Sequence, residues 1–563
     1  MKKTSLKLIA SLMLLFIVLI RIGASEEKVN RIDSLFKEWD NKQSPGCALA
    51  IIKDGKIIYE KGYGMANLEL EVPITPQSVF YVGSVSKQFV AFSIALLVKE
   101  GKVSLDDEIQ KYLPEIPDYG KPITIRHLIH HTSGLRDYLT LEEIAGIEFG
   151  SYHEQDVLEL IARQKELNFP PGKEYLYSNS GYFLLGQIIK KVSGKSLRQF
   201  TEEKIFKPLN MKNSHFHDDF TMIVKNRASG YFPQAPGGYK NFITTFDCVG
   251  SGGLFTTVED LFLWDQNFYH CQVGGKEVIE MINTRGRLQS GREIDYAFGL
   301  VRGEYRGLKT VSHGGALGGY RSMLLRFPEQ RFSVIILSNL SSFNPSKLAY
   351  LVADIYLADE FNKERAELKA KEEFFKHPPE KLKKFTGFYI NKKIGVMHRI
   401  SIEDSNLYLS LFGEKYALRA LSEREFEVEK APVEVRVKFE DEKGEKPAFM
   451  HLSIEGEEEE IYEAFEPLKL SLEKLREYEG EYWSDELEVE FKLKIKDKKL
   501  FFTHKNAPRF PLQATVEDRF NLPGMIVVKF IRDEAKKISG FTLDAGRVRN
   551  LLFIRKGESQ INL

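Results

Sequence analysis

Near residue 360 the 563-residue chain changes texture, and that break constrains how many cores it builds. Upstream, helical spacing alternates with strand-like runs. Downstream, after a charged helical stretch over 362–376 and the pair Pro378-Pro379, short alternating strands dominate, as at 489–495 and 499–503. This tail also repeats itself. Leu382 with Phe385-Thr386-Gly387-Phe388-Tyr389 is matched by Leu475 with Tyr478-Glu479-Gly480-Glu481-Tyr482. Two small antiparallel barrels are the simplest solution, because closing each sheet removes exposed edges. One core does not serve a chain of this length. The expected division is 1–25, a domain over 28–360, a linker over 361–380, and barrels over 381–470 and 471–563.

The first domain opens with two β-rich runs over 47–59 around the turn Asp54-Gly55, a strong hairpin signal. Buried helices follow at 87–100, ending at Gly101, and at 180–192, where Leu184, Leu185, Ile188, Ile189 and Val192 share one face. Strand character returns at 298–302, 309–312, 322–327 and 332–338. Helices held between an N-terminal hairpin and C-terminal strands predict one mainly antiparallel sheet assembled from both ends of an α/β domain.

Lysine plus arginine (80) balances aspartate plus glutamate (80), so no global field favours nucleic acid. A small neutral or zwitterionic substrate fits better than a polyanion. The acidic run Glu457 to Glu460 reads as a solvated hairpin end. At the N-terminus, Lys2, Lys3 and Lys7 precede the apolar run Leu8 to Ile20 and the small residues Gly23-Ala24-Ser25, the pattern of a secretory signal peptide. Export to the periplasm or the extracellular space is expected, with membrane contact only where that segment is retained. The three cysteines, Cys47, Cys248 and Cys271, allow at most one disulfide and read as packing residues, with no metal-ligand spacing. No metal or cofactor is expected; oligomeric state is open.

Ser84-Val85-Ser86-Lys87 has the Ser-x-x-Lys spacing, which at the head of a helix sets hydroxyl and amine on one face. A lysine whose pKa is lowered by burial or a neighbouring cation can take the serine proton. The spacing also occurs at Ser25/Lys28, Ser34/Lys37 and Ser471/Lys474, but only Ser84/Lys87 follows a strand-like run, Phe80 to Gly83, and opens an apolar helix. Tyr177-Ser178-Asn179 adds a phenol and a carboxamide, a base or proton shuttle beside the lysine; Tyr239/Asn241 and Tyr389/Asn391 share that spacing. His313-Gly314-Gly315-Ala316 supplies a strand whose glycines let a substrate lie against the backbone, with an N–H placed to complete an oxyanion hole.

These three motifs occur in one domain and in order, with Ile129-His130-His131-Thr132-Ser133-Gly134-Leu135, Pro170-Pro171-Gly172, Gly250 to Leu254 and Thr257 to Leu261 between them. Over about 28–360 the chain resembles the serine β-lactamase and penicillin-binding-protein-like hydrolases, in the branch of class C β-lactamases, D-aminopeptidases and esterases. The resemblance implies an α/β fold with a helical subdomain and the cleft between them. It implies that Ser84 is acylated, that Lys87 and Tyr177 move protons, that Asn179 holds a substrate amide, and that the N–H groups of Ser84 and Ala316 bind the oxyanion. The barrel tail is similar to that of D-aminopeptidases in this family.

The family's third motif usually begins with Lys; here His313 stands, a weaker and pH-dependent cation that disfavours antibiotic hydrolysis. The expectation is therefore an exported serine hydrolase of D-residue-containing peptides, D-aminopeptidase-like or DD-peptidase-like. The alternatives are a small-ester esterase or weak β-lactamase and, in another class, a non-catalytic sensor of penicillin or cell-wall fragments.

Overall fold

The computed structural model describes 26–557 apart from positions 149, 151, 244, 362–374, 376, 412–413, 430–434, 444–445, 455–458, 505–509 and 523–525. Residues 1–25, expected to be a signal peptide, most of the charged stretch after 361, and Glu457 and Glu458 of the acidic run lie outside the described residues.

The sheet is assembled from both chain ends of the first domain. Strands β1 (Cys47–Lys53) and β2 (Lys56–Tyr63) form the expected hairpin, and β3 (Val301–Tyr305), β4 (Leu308–Leu317), β5 (Tyr320–Phe327) and β6 (Phe332–Ser338) return to it. Their order is β3-β4-β5-β6-β1-β2. The seam between the ends is antiparallel, from Cys47 opposite Ser338 to Lys53 opposite Phe332. The strand expected at 298–302 begins later, at Val301, because Phe298 and Leu300 turn into the interior before the edge strand starts.

β1 reads as a continuous apolar run because both of its faces are covered. Ala48, Ala50 and Ile52 pack with Phe89, Phe92 and Trp264. Cys47, Leu49 and Ile51 face the opposite layer, with Ile32 and Phe36 of the helix at 26–36 and with Leu348 and Val352. Cys47 and Cys248 are buried free thiols, and Cys271 is a half-buried one.

Helices α1 (Ser86–Lys99), α2 (Asn179–Ser193) and α3 (Val258–His270) lie on one side of the sheet, and α4 (Pro345–Tyr356) covers the other. On α1, 12 of 14 residues are buried, so this helix is the domain's spine rather than a surface element. α3 is tied to the sheet by Arg326 of β5, whose Nε donates to Asp265 at 2.6 Å with both side chains almost fully buried.

The tail forms the two expected antiparallel barrels. The first is closed by eight strands, its first strand (Gly387–Ile390) pairing with its last (Glu460–Phe465). In the second, nine strands curl until the two edges, Phe510–Pro511 and Gln513–Val516, are separated by one residue. The sequence repeat is a structural one. Tyr389 donates its hydroxyl to the carbonyl of Phe385 and Tyr482 donates to that of Tyr478, each at 2.9 Å, fixing how each barrel begins.

The second barrel docks on the first domain through a shared core: Leu141, Ala145 and Leu160 pack with Leu475, Tyr482 and Phe491. Inside this contact Arg136, wholly buried, donates to Glu486 at 2.5 Å, to Gln164 at 3.0 Å, and to the carbonyls of Arg549 and Asn550 at 3.0 and 2.9 Å. Removing one partner of a buried pair strands the other charge. Glu486→Ala is therefore expected to cost about 3–5 kcal/mol in urea unfolding. Lys165→Ala, which breaks a nearby pair with Asp485 in which both side chains are more than half exposed, is expected to cost less than about 1 kcal/mol.

Candidate active site

Ser84 sits in a single 3-10 turn, Gly83–Val85, that feeds directly into α1. The turn approaches β4 so closely that two glycines are required. Gly83 adopts φ +52°, and a Cβ there would lie 2.8 Å from the Ala316 nitrogen. A Cβ on Gly315 would lie 2.0 Å from the Val82 carbonyl oxygen and 3.0 Å from the Ser84 nitrogen. The backbone nitrogen of Ala316 is thereby held against the turn that carries Ser84. Gly314 has more room, its closest neighbour on that measure being 3.6 Å away.

Three residues on from Ser84, Lys87 is fully buried. Its Nζ lies 3.0 Å from Ser84 Oγ, 2.9 Å from Asn179 Oδ1 and 2.6 Å from the carbonyl oxygen of Ser251. The rings of Tyr177 and Tyr182 wall it in, with centroids 4.8 and 5.6 Å from Nζ. Burial holds its pKa well below the ordinary lysine value, the positive charge of Arg547 adds to that, and Asp137 partly opposes it. A neutral amine has two N–H donors and one lone pair. Asn179 Oδ1 and the Ser251 carbonyl can only accept, so they take the two donors, and the lone pair is left facing the Ser84 hydroxyl.

Asn179 is the first residue of α2, and its backbone N–H donates to Asp137 Oδ2 at 2.5 Å. With its carboxamide oxygen held by Lys87, only its Nδ2 remains for a ligand. Tyr177, just before the helix, has its hydroxyl buried with no full hydrogen bond. Burial raises its pKa, against the pull of Ser84 and Arg547, so of the two expected roles, base or proton shuttle, a protonated phenol suits the shuttle.

His313 differs from its expected role as a pH-dependent cation. It is 5% exposed, and burial pushes its pKa down to about 4. Its Nδ1 is 2.6 Å from the Gly314 carbonyl and therefore carries the proton, and Nε2 accepts from the Tyr296 hydroxyl at 3.0 Å. A neutral imidazole locked to Tyr296 supplies no positive charge to the cleft.

The other copies of the short motifs lie elsewhere. Ser471 caps a helix, accepting from the Lys474 N–H; Tyr239 lies on an outlying strand and Tyr389 in the first barrel. The structure also adds groups that the sequence did not single out for the site: the Ser251 carbonyl, Asp137, His131, whose Nδ1 accepts from the Ser178 N–H at 3.1 Å, and Arg547. Asp137 did carry a signal, since it caps the helix Tyr138–Ala145 by accepting from the Thr140 N–H. Among the described residues no group of three or more His, Cys, Asp or Glu is placed to hold a metal ion.

Because Gly315 presses on the Ser84 turn, Gly315→Ala is expected to displace the Ala316 N–H. Fluorophosphonate labelling of Ser84 should slow by about 100-fold, the scale of losing an oxyanion donor.

A family model described as Beta-lactamase matches residues 32–357. Penicillin-binding protein 4* of Bacillus subtilis (strain 168) is 28% identical over 446 residues, which cover 70% of this chain and 93% of that protein. A D-aminopeptidase of Gluconobacter oxydans (strain 621H) is 28% identical over 296 residues, 52% of this chain, and the match spans little more than half (56%) of that relative. Among solved structures, the octameric penicillin-binding protein homologue from Pyrococcus abyssi aligns with TM-score 0.55 and 26% identity over 78% of this chain and 100% of its own. The D-amino acid amidase from Ochrobactrum anthropi SV3, at TM-score 0.51 and 21% identity over 59% of this chain and 99% of its own, is alike in fold. The matched stretch 32–357 takes in the whole six-stranded sheet and every residue described around Ser84 except Arg547, and the chain belongs to the β-lactamase family of serine hydrolases.

Proposed function

We propose that this chain is an exported serine peptidase of D-residue-containing peptides that works through an acyl-enzyme on Ser84. The observation that carries the reading is the lone pair of Lys87 facing Ser84 Oγ at 3.0 Å in a dry, aromatic-walled pocket. Lys87 takes the Ser84 proton as Oγ attacks the scissile carbonyl. The oxyanion is received by the N–H groups of Ser84 and Ala316, which the Gly83 and Gly315 contacts bring together. Lys87 then passes that proton through the Tyr177 hydroxyl, protonated and buried beside Ser84, to the leaving amine, so that both groups end acylation as they began. Asn179 Nδ2 holds the substrate amide, and His313, Gly314 and Gly315 form the strand along which it lies.

The D-residue preference rests on the D-aminopeptidases among the relatives. Export rests on the basic-apolar-small pattern of 1–25.

Wild type and Ser84→Ala would be incubated with a fluorophosphonate and weighed intact, then assayed on D-alanyl and L-alanyl p-nitroanilides and on p-nitrophenyl acetate. The expected result is one adduct, absent from Ser84→Ala, and turnover of the D-anilide over the L-anilide that falls at least about 10³-fold in Ser84→Ala and Lys87→Ala. An adduct that persists in Ser84→Ala contradicts the nucleophile. Turnover of the ester alone points to an esterase, and a stable adduct without turnover points to a sensor.

A further inference from the structure

Arg547 lies outside both the matched family region and the domain that carries Ser84. It sits in the second barrel, in the two-residue turn Gly546-Arg547 between the strands Ile538–Ala545 and Val548–Arg555, where Gly546 has φ +53°. The turn reaches into the cleft, and the Arg547 guanidinium lies over the Tyr177 ring, 4.7 Å from its centroid. Lys87 approaches the same ring at 4.8 Å.

The backbone around Arg547 is clamped by the first domain. Asn168 Nδ2 donates to the Arg547 carbonyl at 2.9 Å, the Asp137 N–H reaches that carbonyl at 3.3 Å, and the Arg549 N–H donates to Asn168 Oδ1 at 2.7 Å. Arg136 holds the carbonyls of Arg549 and Asn550, as described above. The side chain, by contrast, rests only on the face of the Tyr177 ring. Among the described residues no carboxylate pairs with the guanidinium and no acceptor takes a hydrogen bond from it. The nearby acids are already engaged: Asp137 by the N–H groups of Thr140 and Asn179, Glu174 by Arg549 at 3.0 Å. A half-buried guanidinium has five donors in a planar fork suited to a carboxylate.

We propose that Arg547 is the carboxylate-binding residue of the Ser84 cleft, receiving the C-terminal carboxylate of a peptide whose last residue is the leaving group. It takes the place of the cation that His313, neutral and bonded to Tyr296, does not supply. The reach is compatible: Tyr177 lies beside Ser84 and beneath Arg547, and one residue of peptide advances roughly 3.8 Å between Cα atoms. An N-terminal ammonium in the same place is repelled, so the cleft favours peptides cut at their acidic end. The specificity element thus comes from the appended barrel and not from the family domain. The inference deepens the peptidase reading and rests on it.

The test is titration calorimetry on Ser84→Ala protein, which binds without turnover, using acetyl-D-alanyl-D-alanine as the free acid and as its C-terminal amide. The expected result is that the acid binds at least about tenfold more tightly than the amide, the scale of a charge-assisted pair. The ratio should fall to about one in Ser84→Ala/Arg547→Ala and below one in Ser84→Ala/Arg547→Glu. Because the guanidinium's partner among the described residues is the face of the Tyr177 ring, with no hydrogen bond or ion pair to lose, both substitutions are expected to change the melting temperature little. Equal affinities in Ser84→Ala, binding of neither peptide, or an acid preference that survives Arg547→Ala would overturn the proposal. A preserved binding ratio with no cleavage of either peptide by the wild type would instead count against the peptidase reading alone.

Discussion

A lysine amine sealed from water is the constraint around which the rest of the domain is arranged. Lys87 lies at the start of the most buried helix, walled by two tyrosine rings, and Asn179 and Ser251 take its two donors. A charged ammonium in that position loses its hydration without gaining a carboxylate partner, so the neutral form is favoured. Each partner comes from a different element: the 3-10 turn before α1, the first residue of α2, and the loop before the strand Leu254–Thr256. The packed interior that places those three elements is therefore what turns the Lys87 lone pair toward Ser84. This is a local use of stability for chemistry: α1 is held on the sheet side by Phe89, Phe92 and Trp264, and the buried Arg326–Asp265 pair fixes α3 behind them.

The second barrel extends that arrangement in an unexpected direction. Its docking contact is hydrophobic in bulk, but its orientation is set by Arg136, whose four hydrogen bonds include two to the backbone of the strand that leads away from Arg547. Register between the domains is thus written in main-chain acceptors that cannot slide without leaving a buried guanidinium unsatisfied. The result is that a turn far along the chain contributes positive charge to the nucleophile's surroundings, felt at Lys87, His131 and Tyr177 alike.

How much of this was legible in the sequence depended on whether a residue acts through its side chain at short range. Ser84 and Lys87 are three residues apart, so their meeting follows from helical geometry, and the strand at 332–338 and the paired tail motifs were read from period and repeat. The charge of His313 was not legible: only burial and the Tyr296 hydroxyl decide it, and neither leaves a local pattern. Ser251 contributes a carbonyl that any residue could supply, so no side-chain signal marks it. Arg547 is one of 80 basic residues in the chain, without a motif, and its role depends on how one barrel sits on another domain.

The claim on which all of this turns is that Lys87 is neutral when the enzyme works. The rate at which a fluorophosphonate labels Ser84, followed against pH, tests it most directly, because labelling requires the serine proton to be accepted. The account predicts an acid limb well below the ordinary lysine value of 10.5, absent from Lys87→Ala. A limb at about 10.5, where an unburied lysine loses its proton, would contradict it.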